Sequence, residues 1–342
     1  MKTFITILFA TLFVQTTYAR NWDRIEIPGA VCGDGLPYSV FVNTKANSKN
    51  LLVEFMGGGA CWNFETCYGV NLDGVQFRTW MHPLPEIPFY SYMTSDMWLW
   101  SDHPFNKDSA LYLPYCTGDV FSADHTAEYS GVKAHHQGYR NILLTFAYLN
   151  QKNILNFSRV ERLTVWGASA GAIGAFVHLK NIEPYFPRAS KIAIIDSAGL
   201  HFGPTFWHKF TSELFNDFSE AFAKTGMQLD YNDGFIAKRM GPVLAGLKQW
   251  TIGIMQSTRD PVMSTSFGEI SPEEHRKLVL SDEGIAAVAR PYANTSVWIA
   301  DIDIHTFLLL ETTSRQEDMQ NQSAINFVDY IVDKSALTNR QH

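Results

Sequence analysis

The sequence predicts an α/β fold, a mostly parallel central sheet flanked by helices, and three observations carry that prediction. β-prone apolar runs alternate with stretches of helical periodicity along most of the 342 residues. A Gly-x-Ser-x-Gly pattern stands near mid-chain, between a strand and a helix. Two further strands follow it, at 250–255 and 297–300, and each runs into a loop that carries an acid or a histidine.

The chain opens with Met1-Lys2-Thr3, an apolar run over 4–14 and small residues ending at Ala19. Those are the charged, apolar and small-residue parts of a secretory signal peptide, so 1–19 is read as a leader and 20–342 as a single domain, secreted or periplasmic after cleavage near Ala19. The apolar run is too short for a spanning helix, and no later segment reaches the length a bilayer needs. Without the leader the chain has 26 basic and 34 acidic side chains, a net of −8, which disfavours nucleic acid as a partner. A hydrophobic content of 46% with 18% charged residues describes a compact chain, not a disordered one.

Residues 25–42 hold short β-prone pieces broken by Pro28-Gly29 and Gly33-Asp34-Gly35, the pattern of an edge hairpin. The strand at 50–55 runs into Gly57-Gly58-Gly59, whose bare amides allow a ligand to approach the backbone closely. Residues 83–105, rich in aromatics and prolines, have no clean period and read as a long excursion over the sheet, with Trp98 and Trp100 as packing residues. A strand at 110–116 follows, and Asp119 just beyond it is expected to brace the neighbouring loop. Tyr139, Ile142, Leu143, Phe146 and Leu149 recur at helical spacing, predicting a helix over 134–150 with His135 and His136 as surface or capping residues at its start.

At 162–180 the β-prone Leu163-Thr164-Val165-Trp166 gives way to small and then apolar residues at helical spacing, so the strand-to-helix boundary falls on Gly167-Ala168-Ser169-Ala170-Gly171. This is the setting of a nucleophile elbow, in which a strained turn lifts the Ser169 hydroxyl above the sheet edge. Gly167 and Gly171 stand where a side chain would collide, and the Ala170 amide opens the helix where an oxyanion would be held. Gly58 and Gly59 are read as the other half of that oxyanion hole. A fifth strand covers 191–195 and closes on Asp196. Residues 205–248, with Phe206, Phe210, Leu214, Phe218 and Phe222 at four-residue steps, predict a helical cap, and a last helix covers about 323–335.

The order of strands and helices is that of the α/β-hydrolase topology, in which the triad acid and histidine follow the serine. Asp260 lies just past the strand at 250–255 and His305 just past the strand at 297–300. His305 is therefore assigned as general base for Ser169, with Asp260 fixing its tautomer. The rival acids are Asp303, too close in sequence to reach behind the ring, and Asp196, at a strand end where a structural role is commoner.

Four cysteines, Cys32, Cys61, Cys67 and Cys116, stand in the N-terminal third. An even number in an exported chain points to two disulfides, and no paired Cys-x-x-Cys marks a zinc site, so no metal is expected. Cys61 with Cys67 and Cys32 with Cys116 is one pairing; spacing leaves the other two open.

Gly57-Gly58-Gly59-Ala60-Cys61-Trp62, the 114–120 stretch Pro-Tyr-Cys-Thr-Gly-Asp-Val, Gly138-Tyr139-Arg140-Asn141, Gly167-Ala168-Ser169-Ala170-Gly171, Asp260 and His305 together resemble the pectin acetylesterase family, which includes Notum-like serine carboxylesterases. The resemblance implies a serine carboxylesterase that passes through an acyl-enzyme, acts outside the cytoplasm and needs no metal or cofactor. It also implies the pairs Cys61–Cys67 and Cys32–Cys116. The expected partner is an ester substrate, an acetylated polysaccharide or another acylated molecule. A deacylase of longer chains on a lipidated peptide or lipid is the variant that a deep apolar pocket beside Ser169 would favour. A secreted binding protein that kept the fold and lost the chemistry is the reading from a different class. Oligomeric state has no signature in the sequence.

Overall fold

The computed structural model describes residues 22–69, Met81 and 103–339. The expected leader, Trp98, Trp100 and most of the 83–105 excursion lie outside the described residues.

Ten strands are present among the described residues: β1 Asp23–Val31, β2 Pro37–Asn43, β3 Asn50–Phe55, β4 Ser109–Leu113, β5 His125–Tyr129, β6 Val132–His136, β7 Arg162–Ala168, β8 Ser190–Asp196, β9 Trp250–Ser257 and β10 Thr295–Ala300. Eight form one sheet in the order β1-β2-β4-β3-β7-β8-β9-β10. The β1–β2 and β2–β4 pairs are antiparallel, and every pair from β4 to β10 is parallel. β3, β7, β8 and β9 are buried along nearly their whole length. That is why they read as continuous apolar runs: parallel strands covered on both faces have no solvent side to mark with polar residues. The two edge strands, β1 and β10, keep exposed or half-buried positions.

Helices among the described residues are α1 Phe64–Tyr68, α2 Gly138–Gln151, α3 Ala170–Ile182, α4 Ser212–Thr225, α5 Gly241–Gly246, α6 Pro272–Val279, α7 Ile285–Ala289, α8 Glu311–Ser314 and α9 Ala324–Asn339. α2 packs on β1, α3 on β7 and β8, and α9 on β8 and β9. Because β3, β7, β8, β9 and β10 run parallel, their carboxyl ends open on one edge of the sheet, where ligands bind in open α/β sheets.

Two expectations change. The helix of 134–150 begins only at Gly138, because 132–136 forms β6, paired with β5 in a separate antiparallel ribbon. Ala134 and His136 are buried with the half-buried His135 between them, a step of two that belongs to a strand, and Val132 and Lys133 at the hairpin end are exposed. His136 is consequently not a surface residue. It is fully buried, donating from Nδ1 to the Thr117 carbonyl at 2.8 Å and accepting from the Tyr129 hydroxyl at 3.0 Å.

The 205–248 stretch is also not one helical run. A short turn over Phe206–Lys209 is followed by α4, which Thr211 starts by accepting from the Leu214 amide and Gly226 ends in the left-handed region at φ 106°. The four-residue steps survive as packing: Phe206, Phe210, Leu214, Phe218 and Phe222 are all buried although they straddle a turn and a helix.

Disulfides join Cys32 to Cys116 and Cys61 to Cys67. The first ties the end of β1 to the segment after β4. The second closes a loop around α1, whose Asn63 and Thr66 form a reciprocal cap.

Candidate active site

Ser169 sits between the last residue of β7 and the first of α3, at φ 58° and ψ −124°. A non-glycine residue there is strained, and its surroundings hold it: its N–H donates to the Asp196 carbonyl at 2.9 Å, and its own carbonyl accepts from Ala172 at 2.9 Å. The turn is possible only because its flanks are glycine. A Cβ on Gly167 would come within 2.1 Å of the Gly171 carbonyl oxygen, and one on Gly171 within 2.0 Å of the Phe55 carbonyl oxygen. The Ala170 amide is the first of the N–H groups that a helix start leaves without an intrahelical acceptor.

Asp260 and His305 are brought together. The Asp260 Oδ2 accepts from His305 Nδ1 at 2.7 Å, and Oδ1 accepts from the amides of Val262 and Met263 at 2.9 and 3.0 Å. Asp260 is fully buried and the His305 side chain 14% exposed, so the carboxylate is shielded from solvent behind the ring. Asp196 has a different task. Its buried carboxylate accepts from the amides of Phe307 and Leu308 and from the Ser197 hydroxyl, and that hydroxyl accepts from the Thr306 amide. Burial raises its pKa, while those donors and the nearby His305 work the other way. Asp196 thus holds the elbow through its carbonyl and the His305 loop through its side chain. The Ser169 hydroxyl forms no hydrogen bond with His305 among the described residues; such contacts are often long before substrate binds. Asp303 is exposed.

After β3, Gly59 takes φ 75° and Gly58 lies so close to Tyr115 that a Cβ would meet its ring at 2.6 Å. The Tyr115 hydroxyl accepts from the Val120 amide at 2.7 Å. Asp119 braces this corner, its buried carboxylate accepting from Thr117 Oγ1, the Phe121 amide and the Gly138 amide at 2.7, 3.1 and 2.6 Å. Burial pushes its pKa up to about 6 despite those donors.

Beside Ser169 opens a cavity of about 60 Å³, bounded by Gly59 and Ala170 and walled by Trp62, Val120, Ile173, Val262, Met263 and Phe267. Its lining is mainly apolar, so an aliphatic group gains and a charged one loses on entering. Sequence reasoning did not find this wall. Trp62 directly after the glycine turn was a signal for it; Phe267 had none. His275 was also missed: it is buried, it donates from Nδ1 to the Thr258 carbonyl at 2.7 Å beside the Asp260 turn, and burial lowers its pKa.

Among the described residues one group of side chains is close enough to share a cation, Cys61, Cys67 and His136. It does not suit one, because the two sulfurs are bonded to each other and both His136 nitrogens are engaged.

The fold has solved counterparts. Two crystal forms of the Wnt deacylase Notum from Drosophila superpose with TM-score 0.63 at 16% identity, covering 93% of this chain and 94% of the other. Among curated proteins, the palmitoleoyl-protein carboxylesterase NOTUM of Schmidtea mediterranea is 23% identical over 218 residues, 58% of this chain and 38% of its own length. Pectin acetylesterase 11 of Arabidopsis thaliana is 25% identical over 177 residues, 50% of this chain and 42% of its own. The chain therefore matches about two fifths of the length of each of these curated relatives. The pectinacetylesterase family model matches residues 12–234, a stretch that contains the glycine turn and Ser169 and stops short of Asp260 and His305. On that match, which spans well over half of its length, the chain belongs to the pectinacetylesterase family.

Proposed function

We propose that the protein is an exported serine carboxylesterase that removes an acyl group from an extracellular substrate through a Ser169–His305–Asp260 triad. The observation that carries the reading is the 2.7 Å bond between His305 and the buried Asp260, on a loop that Asp196 joins to the strained Ser169 turn. Ser169 Oγ attacks the ester carbonyl while His305 Nε2 takes its proton. Asp260 keeps the other proton on Nδ1 and stabilises the imidazolium. The amides of Ala170 and Gly59, with Gly58 behind, receive the oxyanion. His305 then protonates the departing alcohol, and the acyl-enzyme is cleaved by water along the same route.

Export is supported by the leader pattern at 1–19 and by the two disulfides, which persist in oxidising compartments. The plant relative is named for acetyl groups on pectin and the planarian one for palmitoleoyl groups on protein. Acetyl transfer from a polysaccharide is the first reading. The apolar wall beside Ser169 favours a second, in which the acyl group is longer.

Hydrolysis of p-nitrophenyl acetate by the wild type and its loss in Ser169→Ala is the expected result. A folded wild type that turns over neither short nor long esters would instead favour a binding protein that has kept only the fold.

A further inference from the structure

Lys209 closes the turn Phe206–Lys209, and its side chain is only 8% exposed. The ammonium lies 4.5, 5.0, 5.1 and 5.7 Å from the ring centroids of Phe206, Phe267, Trp62 and Phe210. It donates to the Phe267 carbonyl and, at 3.4 Å, to the Glu269 carboxylate. Rings grouped around a cation in this way attract it through their π-faces, and most strongly when water is excluded. The cage is therefore filled by the chain itself.

All four rings do a second job as cavity wall. Trp62 and Phe267 also wall the cavity at Ser169. Phe206, Phe210 and Phe267 wall another cavity of about 20 Å³, whose remaining lining is aliphatic or aromatic. The two cavities share Val120, Ile173 and Phe267, so these three side chains are the partition between them. Ile173 is fixed in α3, and Val120 is pinned through its amide to Tyr115. Val120 and Phe267 both lie in turns, and it is Phe267 that Lys209 holds, by both its ring and its carbonyl.

We propose that Lys209 is a positioning residue that sets the acyl-chain limit, holding Phe267 as the back wall of the pocket at Ser169. The inference rests on the esterase reading above and deepens it. The cavity at Ser169 is about 60 Å³, and an acyl chain that lengthens within it reaches the partition at Phe267. Releasing Phe267 joins that cavity to the apolar one behind and lengthens the chain that fits.

The test is kcat/KM on p-nitrophenyl acetate, butyrate, octanoate and laurate for the wild type, Lys209→Met, Phe267→Ala and the double variant. Phe267→Ala raises the octanoate-to-acetate ratio by about tenfold or more, since added room for methylenes is worth at least that. Lys209→Met raises it at least about threefold. The double variant matches Phe267→Ala, because Lys209 acts through that ring.

The wild type gives an independent arm that needs no variant to fold. Burial lowers the Lys209 pKa to about 8. Glu269 is the charged group facing the ammonium, the caging rings carry none, and the neighbouring His208 turns to Asn232 and Tyr231. Moving from about pH 7 to about pH 9.5 removes the charge from Lys209 and raises the same ratio, in which titration of the shared triad cancels.

A ratio that stays at its starting value in Lys209→Met or across that pH range would overturn the proposal, as would effects that multiply in the double variant. Turnover of none of these esters by the wild type would overturn the esterase reading with it, whereas turnover with a flat ratio overturns the wall alone.

Discussion

The Asp260 carboxylate has both oxygens committed, one to two backbone amides and one to His305. It can hold the imidazole in one tautomer only as an acceptor on both sides. Asp260→Asn brings an amide N–H against either the ring or the two backbone donors, so kcat falls on the order of 10³–10⁴-fold while the fold persists. Steady-state kinetics beside an unchanged circular dichroism spectrum checks this; activity within tenfold of wild type contradicts it. At this scale the strained turn at Ser169 and the contact between Asp260 and His305 were legible, because a strand-to-helix glycine pattern and two late strand ends point to those positions in order; their catalytic roles belong to the proposal above. Lys209 and Phe267 were not legible. A lysine among phenylalanines at four-residue steps reads as the solvent face of an amphipathic helix, and only packing from three separate segments encloses it.

Among elements, the elbow shows backbone geometry being set by what is missing. Gly171 must let α3 start against the end of β3, since any Cβ would strike the Phe55 carbonyl. Gly171→Ala is expected to lower stability by about 3 kcal/mol through backbone displacement and to cut activity as Ser169 shifts with it. Urea denaturation gives the first quantity, and a midpoint equal to wild type would rule the argument out. The central strands were readable as apolar runs bounded by turn residues. The β5–β6 ribbon was not, because the helical spacing that begins at Tyr139 was extended backwards over a stretch whose burial steps by two. The 205–248 stretch was misread for the converse reason. Helical spacing ran through Phe210 and Thr211, the first of which ends one turn while the second caps the next helix.

Across the whole molecule, several buried histidines are kept neutral. The pKa of His136 and of His178 is lowered to about 4 and that of His201 to about 3, in each case chiefly by burial. Both His178 nitrogens are already bonded, to the Phe121 carbonyl and the Asn181 amide. Unfolding frees these rings to take up protons near their ordinary 6.5, so stability falls as the pH drops from about 6.5 toward 4. Asp119 acts with the opposite sign, since its raised carboxyl is protonated in the folded state below about 6. Asp196, also raised by burial, acts as Asp119 does, and His275, also lowered by burial, acts as the other three rings do, so four imidazoles stand against two carboxyls. The slope should be roughly 2–3 kcal/mol per pH unit at its steepest, and denaturant melts over this range that show no acid loss would contradict it. The mostly parallel sheet with flanking helices was the most legible feature at this scale, because alternation of strand and helix leaves few ways to wind one, whereas the spatial order of the strands comes only from the pairing.

The central claim is that Ser169 is a nucleophile activated by His305, and covalent labelling tests it most directly. A fluorophosphonate reacts when an activated serine oxygen attacks phosphorus and expels fluoride, so intact mass followed by peptide mapping locates the adduct. One adduct on the peptide carrying Ser169, absent in Ser169→Ala and much slower to form in His305→Ala, is the predicted result. An adduct on another residue, or none on folded wild-type protein, would contradict the account.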